Sequence, residues 1–477
     1  MNIKKGLTFN DVLLIPQYSE IVSRKNLDIS TRLTNKIKLK IPIISSNMDT
    51  VTEDKMAIAM ASAGGLGIIH RFLSVEDQVN MVKKVKRYIN YKIKNPYIIN
   101  DNSKISDYIQ LVKEKGVKGF PVISHVDNKL VGIISNRDLL FSLEETFVSE
   151  IMTPLDKLIY SHEKTTMDEA FIILKENKIE KLPLVNENFE VTGLITIKDI
   201  LHYKKINKVS TVDENGRLMV GAAIGVKPED IDRAKALIEA KVDILCIDVA
   251  HGHNILAGNM VKEIKSRFPN IDVIAGNVAT SKGVRYLIEA GADAIKIGIG
   301  NGSICTTRMV TGSGVPQITA LIECVNEANK FNIPIISDGG NGGILGNIVK
   351  ALATGSSSVM LGNFLAGTDE SPGPILVKDN KKVKYIRGMA GYGANLSRKQ
   401  RIDSSEDLSD VVPEGVDAYI PYKGPVKDIL FQIIGGIKSG MSYCGSKTLK
   451  ELPSKAEFIM ITEASRKDSD YHGVNKI

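Results

Sequence analysis

Eight short apolar runs, each closing on Gly, Ser, Asn or Asp and most leading into a helix-like stretch, recur along this chain, and that rhythm constrains its fold more than any other feature. They lie at about Ile43–Ser46, Leu66–Ile69, Met219–Ile224, Asp243–Ile247, Asp272–Ala275, Ala294–Ile297, Pro334–Ile336 and Ser357–Leu361. Eight such units predict an α/β fold, a (β/α)8 barrel. A doubly wound sheet satisfies the same periodicity. Polar residues gather just after the strands in all units, however, and that is where a barrel carries its active site.

Between the second and third units, roughly residues 92–207, the chain repeats itself. Gly119-Phe120-Pro121-Val122-Ile123, Val131-Gly132-Ile133-Ile134 and Arg137-Asp138-Leu139-Leu140 return as Leu182-Pro183-Leu184-Val185, Thr192-Gly193-Leu194-Ile195 and Lys198-Asp199-Ile200-Leu201, with Met152-Thr153-Pro154 opening the second copy. Copies of about 92–147 and 148–207 resemble a tandem pair of cystathionine-β-synthase-type (CBS) domains, a Bateman module, inserted in a loop between barrel parts 1–91 and 208–477. A further irregular region, about 379–421, is long for a connection, as functional flaps are.

Composition excludes several classes. The net charge of +7 comes from 62 basic and 55 acidic residues interspersed along the chain, a weak nucleic-acid signal. Cys246, Cys305, Cys324 and Cys444 form no C-x-x-C pair, which argues against a zinc site or disulfide framework and for a reducing setting. The N-terminal stretch has no apolar h-region, and the apolar run Met56 to Ile69 is too short to span a bilayer. A cytoplasmic protein that binds neither membrane nor nucleic acid is expected.

The richest segment for chemistry runs from Lys296 to Arg308. Its glycines do not match G-x-G-x-x-G, but Gly298, Gly300 and Gly302 let main-chain groups turn inward towards an ion. Cys305, flanked by hydroxyls at the catalytic rim, is a candidate nucleophile, whereas Cys246, Cys324 and Cys444 read as core. Asp338-Gly339-Gly340 and Gly362-Asn363 follow the seventh and eighth strands, where barrels cradle phosphate. Asp338 reads equally as a ribose acceptor or a helix N-cap. Asp248 ends the fourth strand and suits a second ligand's ribose; Asn277 ends the fifth. His251 and His253 lack further ligands for a metal.

Taken together, Leu7-Thr8-Phe9-Asn10-Asp11-Val12, Asn47-Met48-Asp49-Thr50-Val51-Thr52-Glu53, the Gly298-to-Thr307 loop, Ser337-Asp338-Gly339-Gly340 and Pro413-Glu414-Gly415-Val416 closely resemble the IMP dehydrogenase/GMP reductase family over essentially the whole chain. The resemblance implies that Cys305 attacks purine C2, with hydride passing to or from NAD or NADPH. Thr307 and Glu414 resemble the proton-relay pair. Ser303, Gly340 and Gly362 match phosphate contacts, Asp338 the ribose contact, and Met48 and Met389 neighbours of the base. Asp248, Asn277 and Gly298 fall on the cofactor side, and the carbonyls of Gly298, Gly300 and Cys305 match a monovalent-cation, K⁺, site. A homotetramer able to pair into an octamer, and regulatory purine nucleotides on the CBS pair, are further implications.

The two branches differ after the cysteine step. A dehydrogenase turns IMP, NAD and water into XMP, with an Arg-Tyr pair on a flap activating the water; a reductase turns GMP and NADPH into IMP and ammonia without it. Here the flap reads Lys399-Gln400-Arg401-Ile402-Asp403-Ser404, with Arg401 the candidate water base and no Tyr after it. Arg308-Met309-Val310-Thr311-Gly312 and Glu323-Cys324 also lean towards the reductase, while the insert, the flap length and Tyr419-Ile420-Pro421-Tyr422-Lys423-Gly424 are dehydrogenase-like. Ile386 and Asn363 depart from the family's Tyr and Ser at phosphate contacts. A catalytically silent nucleotide sensor is the non-enzyme alternative, and the intact Cys305, Thr307 and Glu414 argue against it.

Overall fold

A computed structural model describes residues 3–88, 92–139, 143–402 and 412–469. It divides into two units, Met1–Tyr88 with Val209–Ile477, and Ile89–Lys208.

In the first unit eight parallel strands close a barrel: β1 (Ile43–Ser45), β2 (Leu66–Ile69), β3 (Gly221–Ile224), β4 (Ile244–Asp248), β5 (Asp272–Val278), β6 (Ala294–Ile297), β7 (Ile335–Asp338) and β8 (Ser358–Leu361). Each pairs with the next, and β8 returns to β1 with Val359 opposite Ile43. The strands are short and Ile-rich because both faces are buried, one inside the barrel and one under helices. The helices α1 (Asp54–Ser62), α2 (Val75–Tyr88), α3 (Asp230–Glu239), α4 (Ile255–Arg267), α5 (Ser281–Glu289), α6 (Gln317–Asn329), α7 (Leu345–Ala353) and α8 (Val426–Tyr443) follow them. A hairpin of Thr31–Arg32 and Lys38–Leu39 contributes Leu33, Ile37 and Leu39 to the barrel's inner core, beside Ile44, Ile68, Ile244, Cys246 and Ile336. That hairpin precedes β1, so it closes the N-terminal end and leaves the C-terminal mouth for chemistry.

The second unit holds two four-stranded sheets. Gly119–Ile123 and Leu130–Ser135 form the centre of one, Lys181–Val185 and Val191–Thr196 that of the other, and each pair is antiparallel. The edge strands are exchanged. Lys92–Lys94, which precedes the first copy, pairs with Val191–Thr196, while Thr153–Pro154, which opens the second, pairs with Leu130–Ser135. Each sheet has its own core, around Tyr108 and Phe120 in one and Leu174, Leu182 and Ile195 in the other. Each sheet thus takes an edge strand from the chain that leads into the other copy. Leu140, at the end of the first repeated motif, lies outside the described residues.

The region expected to be irregular is in part a three-stranded antiparallel sheet of Leu376–Lys378, Lys381–Arg387 and Asp417–Pro421, with a helix at Tyr392–Ile402. Residues 403–411, including Asp403, Ser404 and Glu406, lie outside the described residues. Among the described residues no helix is long and apolar enough to cross a membrane.

Candidate active site

Strand ends and a strained loop after β6 build the mouth of the barrel. Past β6 the backbone takes positive φ at Gly298 (+150°) and Gly300 (+71°). A Cβ at Gly298 would lie 2.0 Å from the Asp338 carbonyl oxygen, and one at Gly300 would lie 2.5 Å from Arg308 Cγ. Glycine is required at both positions. Arg308 closes the loop on itself, donating to the carbonyls of Ile299 (3.2 Å) and Val315 (2.6 Å).

On this loop Cys305 is half-buried, its Sγ 3.1 Å from Thr307 Oγ1. The chain around Glu414 runs alongside: Thr306 N–H donates to the Glu414 carbonyl (2.9 Å), Val416 N–H to that of Ile304 (3.0 Å), and Cys305 bridges Gly415. Cys305, Thr307 and Glu414, 109 positions apart at the extremes, thus occupy one corner of the mouth. The other three cysteines are buried, with burial pushing Cys246 and Cys324 up to about 12, which leaves them poor nucleophiles.

The phosphate-type residues converge too. Asn363 Nδ2 donates to Ser303 Oγ (3.1 Å), and a Cβ at Gly362 would sit 3.1 Å from Met48 Sδ. Met389 Sδ accepts from the Asp49 N–H at 3.4 Å. Gly339 and Gly340 both have positive φ, and Gly340 N–H donates to the Asn301 carbonyl (3.0 Å). Ile386, in place of the family's Tyr, is buried and offers no hydroxyl.

Across the mouth, Asp248 of β4, Asn277 of β5, Lys296 of β6 and Asp338 of β7 form one hydrogen-bonded network. Lys296 Nζ reaches Asp248 Oδ1 at 2.6 Å and Asp338 Oδ2 at 3.0 Å. Asn277 Nδ2 donates to Asp338 Oδ2 (2.9 Å) and to the Gly298 carbonyl (2.7 Å), leaving its buried Oδ1 without a partner. Burial opposes charge on both Lys296 and Asp248, yet their attraction wins: Lys296 is held above and Asp248 below its ordinary range. The Asp338 side chain serves this network and does not cap a helix; α7 begins beyond Ile344.

Arg401 ends the helix Tyr392–Ile402, its Nη1 3.7 Å from Glu53 Oε1. The same Glu53 oxygen lies 3.4 Å from Nε2 of the buried His70, whose Nδ1 accepts the Phe72 N–H and so leaves the ring proton on Nε2. His251 and His253 have ring centres 6.3 Å apart, and His253 leans on Tyr286. Among the described residues no three His, Cys, Asp or Glu side chains gather as a metal site.

Sequence reasoning missed Lys296 as a participant, the Asp49–Arg387 ion pair (Nε to Oδ2, 2.8 Å) and Lys423, whose Nζ donates to the carbonyls of Asn363 and Phe364 (3.3 Å for the latter). Burial lowers Lys423 to about 8. Motifs could have flagged Lys423, which sits in a dehydrogenase-like phrase. Lys296 is marked by its place in an apolar strand at the head of the glycine segment, whereas nothing local marks the Asp49–Arg387 pair.

A closed barrel with a thiol on a glycine loop, a hydroxyl beside it and a carboxylate-lined mouth has the architecture of a (β/α)8-barrel enzyme. The IMP dehydrogenase / GMP reductase domain family matches residues 6–472, and the chain belongs to that family. It is 47% identical over 478 residues to the inosine-5'-monophosphate dehydrogenase of Nitrosopumilus maritimus (strain SCM1), covering 99% of each chain. It is 46% identical over 487 residues to the GMP reductase of Leishmania donovani, covering 100% of this chain and 98% of that one. Among solved structures, a Cys-to-Ala variant of GMP reductase from Trypanosoma brucei in complex with guanosine 5'-monophosphate matches with a TM-score of 0.88 and 44% identity over 99% of both chains.

Proposed function

We propose that this chain is a purine nucleotide oxidoreductase working at C2, and specifically a GMP reductase. The observation that carries the direction is the flap. Residues 393–418 contain no tyrosine, and the guanidinium of Arg401 is engaged by Glu53. Without an Arg-Tyr pair the hydrolysis that a dehydrogenase needs loses general-base help of about 10²–10⁴ in rate. A dehydrogenase remains the second reading, because a dehydrogenase relative matches at 47% over 478 residues and the reductase at 46% over 487.

In the proposed reaction Cys305 Sγ bonds to C2 of GMP, and the amino group leaves as ammonia with a proton relayed through Thr307 from Glu414. A nicotinamide cofactor, when bound, supplies the hydride that C2 receives. Expulsion of the thiolate then yields IMP. Asp338 accepts from the ribose, Ser303, Gly340, Gly362 and Asn363 hold phosphate, and Met48 and Met389 line the base. Asp248 and Asn277 face the cofactor, and the unpartnered Asn277 Oδ1 fits an amide donor such as the nicotinamide carboxamide. For K⁺, Gly298 and Gly300 have the positive φ that a glycine turn allows, and the Gly298 carbonyl, which accepts from Asn277, keeps one lone pair.

The inserted unit is read as the CBS pair, binding regulatory purine nucleotides. Its two copies differ in charge: Arg137 pairs with Glu180 at 2.6 Å, while the positions that match them in the repeat are Lys198 and Lys118, both cationic. The polyphosphate of a nucleoside triphosphate suits the cationic pair of positions. A homotetramer that can pair into an octamer, in a reducing cytoplasmic setting, completes the reading; all four cysteines are free.

Absorbance at 340 nm tests the direction. GMP with NADPH should lose absorbance and release ammonia. A gain from IMP, NAD and K⁺ with XMP formed, and none of the first, would overturn it. Cys305→Ala should abolish turnover yet still bind GMP.

A further inference from the structure

We propose that Lys296 is a positioning residue shared by two ligand subsites: its one ammonium fixes both Asp338, the nucleotide-ribose acceptor, and Asp248, the cofactor-side acceptor, so the two affinities are linked through it. This rests on the assignment of those two carboxylates under the proposed function.

The geometry is specific. Lys296 is 2% exposed and comes from β6, while its partners come from β4 and β7, so the side chain spans the inside of the mouth. Each carboxylate gives it one oxygen, Asp248 Oδ1 at 2.6 Å and Asp338 Oδ2 at 3.0 Å. Each is about four-fifths buried at its side chain. The Asp338 oxygen also takes Asn277 Nδ2, which fixes its rotamer from a second side. Burying two carboxylates that close together is costly unless a cation sits between them. Asp338 keeps Asn277 and Asp248 keeps Asn47, but losing the lysine removes the one cation that both carboxylates share, and a change in one partner alters how firmly the lysine holds the other. Backbone crowding reinforces the placement: a Cβ at Gly276 would lie 2.7 Å from Lys296 Cβ, so β5 packs directly against it. A lysine that served packing alone would have no reason to divide its charge between an acceptor for each ligand.

The test uses the full chain carrying Cys305→Ala, so that binding is read without turnover and without regard to reaction direction. Dissociation constants are measured by calorimetry for GMP and, separately, for NADPH and NAD. Lys296→Met should weaken nucleotide and cofactor together, each by about tenfold or more, and Lys296→Arg, which keeps the charge, should recover most of both. Asp338→Asn should chiefly weaken nucleotide. The decisive variant leaves Lys296 untouched: Asp248→Asn should shift GMP affinity at least threefold with no cofactor present, because the ammonium then falls wholly to Asp338 and competes with the ribose. In double-mutant cycles, Lys296→Met and Asp338→Asn should be non-additive for GMP. The proposal is overturned if Asp248→Asn leaves GMP affinity unchanged, and equally if a folded Lys296→Met weakens one ligand alone. If Lys296→Met does not fold, the Asp248→Asn result decides. A Cys305→Ala parent that binds neither GMP nor IMP overturns the proposed function itself, a result distinct from either of these.

Discussion

In the proposed reaction Thr307 Oγ1, 3.1 Å from the Cys305 sulfur, would hand a proton to the amino group that leaves C2. Thr307→Val keeps the shape and removes the hydroxyl, so turnover should drop by about 10²–10⁴ while GMP affinity holds, as steady-state rates and calorimetry would show. Lys423 offers a test by pH. Folded, it loses its proton at about 8; its ordinary value is 10.5. Between those values the unfolded chain binds more protons, so this group's contribution to stability rises with pH across that window. Denaturant midpoints should therefore show wild type gaining on Lys423→Met from pH 8 to 10. At this scale legibility follows sequence distance. Cys305 and Thr307 are two positions apart and could be read as a pair; Asp49 and Arg387 are 338 apart, and Lys296 draws its partners from 48 and 42 positions away. Only a closed barrel brings those groups together.

The elements divide in the same way. The barrel strands were readable because a strand buried on both faces is a continuous apolar run, and the structure moved their ends by at most three residues, at the end of β5. Strand Lys381–Arg387 hid itself, since one of its inward positions is Lys384, buried and donating to the carbonyls of Thr368 (3.0 Å) and Ser371. A lysine where a strand should show an apolar residue breaks the period-two signal. Helix α2 carries another buried lysine near its C-terminus. Lys86 Nζ meets Asp213 at 3.1 Å and Asp243 at 2.6 Å. Burial outweighs even this partner at Asp243 and pushes it up to about 6. Lys86→Met leaves that carboxylate buried and unpaired, so unfolding free energy at pH 7 should fall by about 3–5 kcal/mol. The folded carboxyl binds its proton more tightly than the unfolded one, so the deficit should shrink as pH falls towards 5.

For the whole molecule, Lys86 and Asp213 stand on either side of the insertion in sequence and touch in space, so the chain leaves and re-enters the barrel at neighbouring points. Among the described residues, every side chain of the barrel's inner core comes from the first unit. Replacing that unit with a short Gly-Ser linker should leave a folded barrel with most of its turnover and remove any response to added nucleotide. A protein that fails to fold would show that the unit is structural. The pairing of Gly221 with Ile68 bears on how the molecule is made. Neighbouring strands of such a barrel are usually some 25 residues apart; here β2 waits through about 150. Loop closure over that longer span costs about 1.5 kcal/mol more if the intervening chain is a coil. If the insertion folds as it leaves the ribosome, its two ends come together and the surcharge vanishes. The nascent chain then offers β3 to a ready edge, and an early β1–β2 pair spends less time exposed to other chains. The inserted unit would in that case act as an internal assembly aid, whatever it binds once the protein is complete.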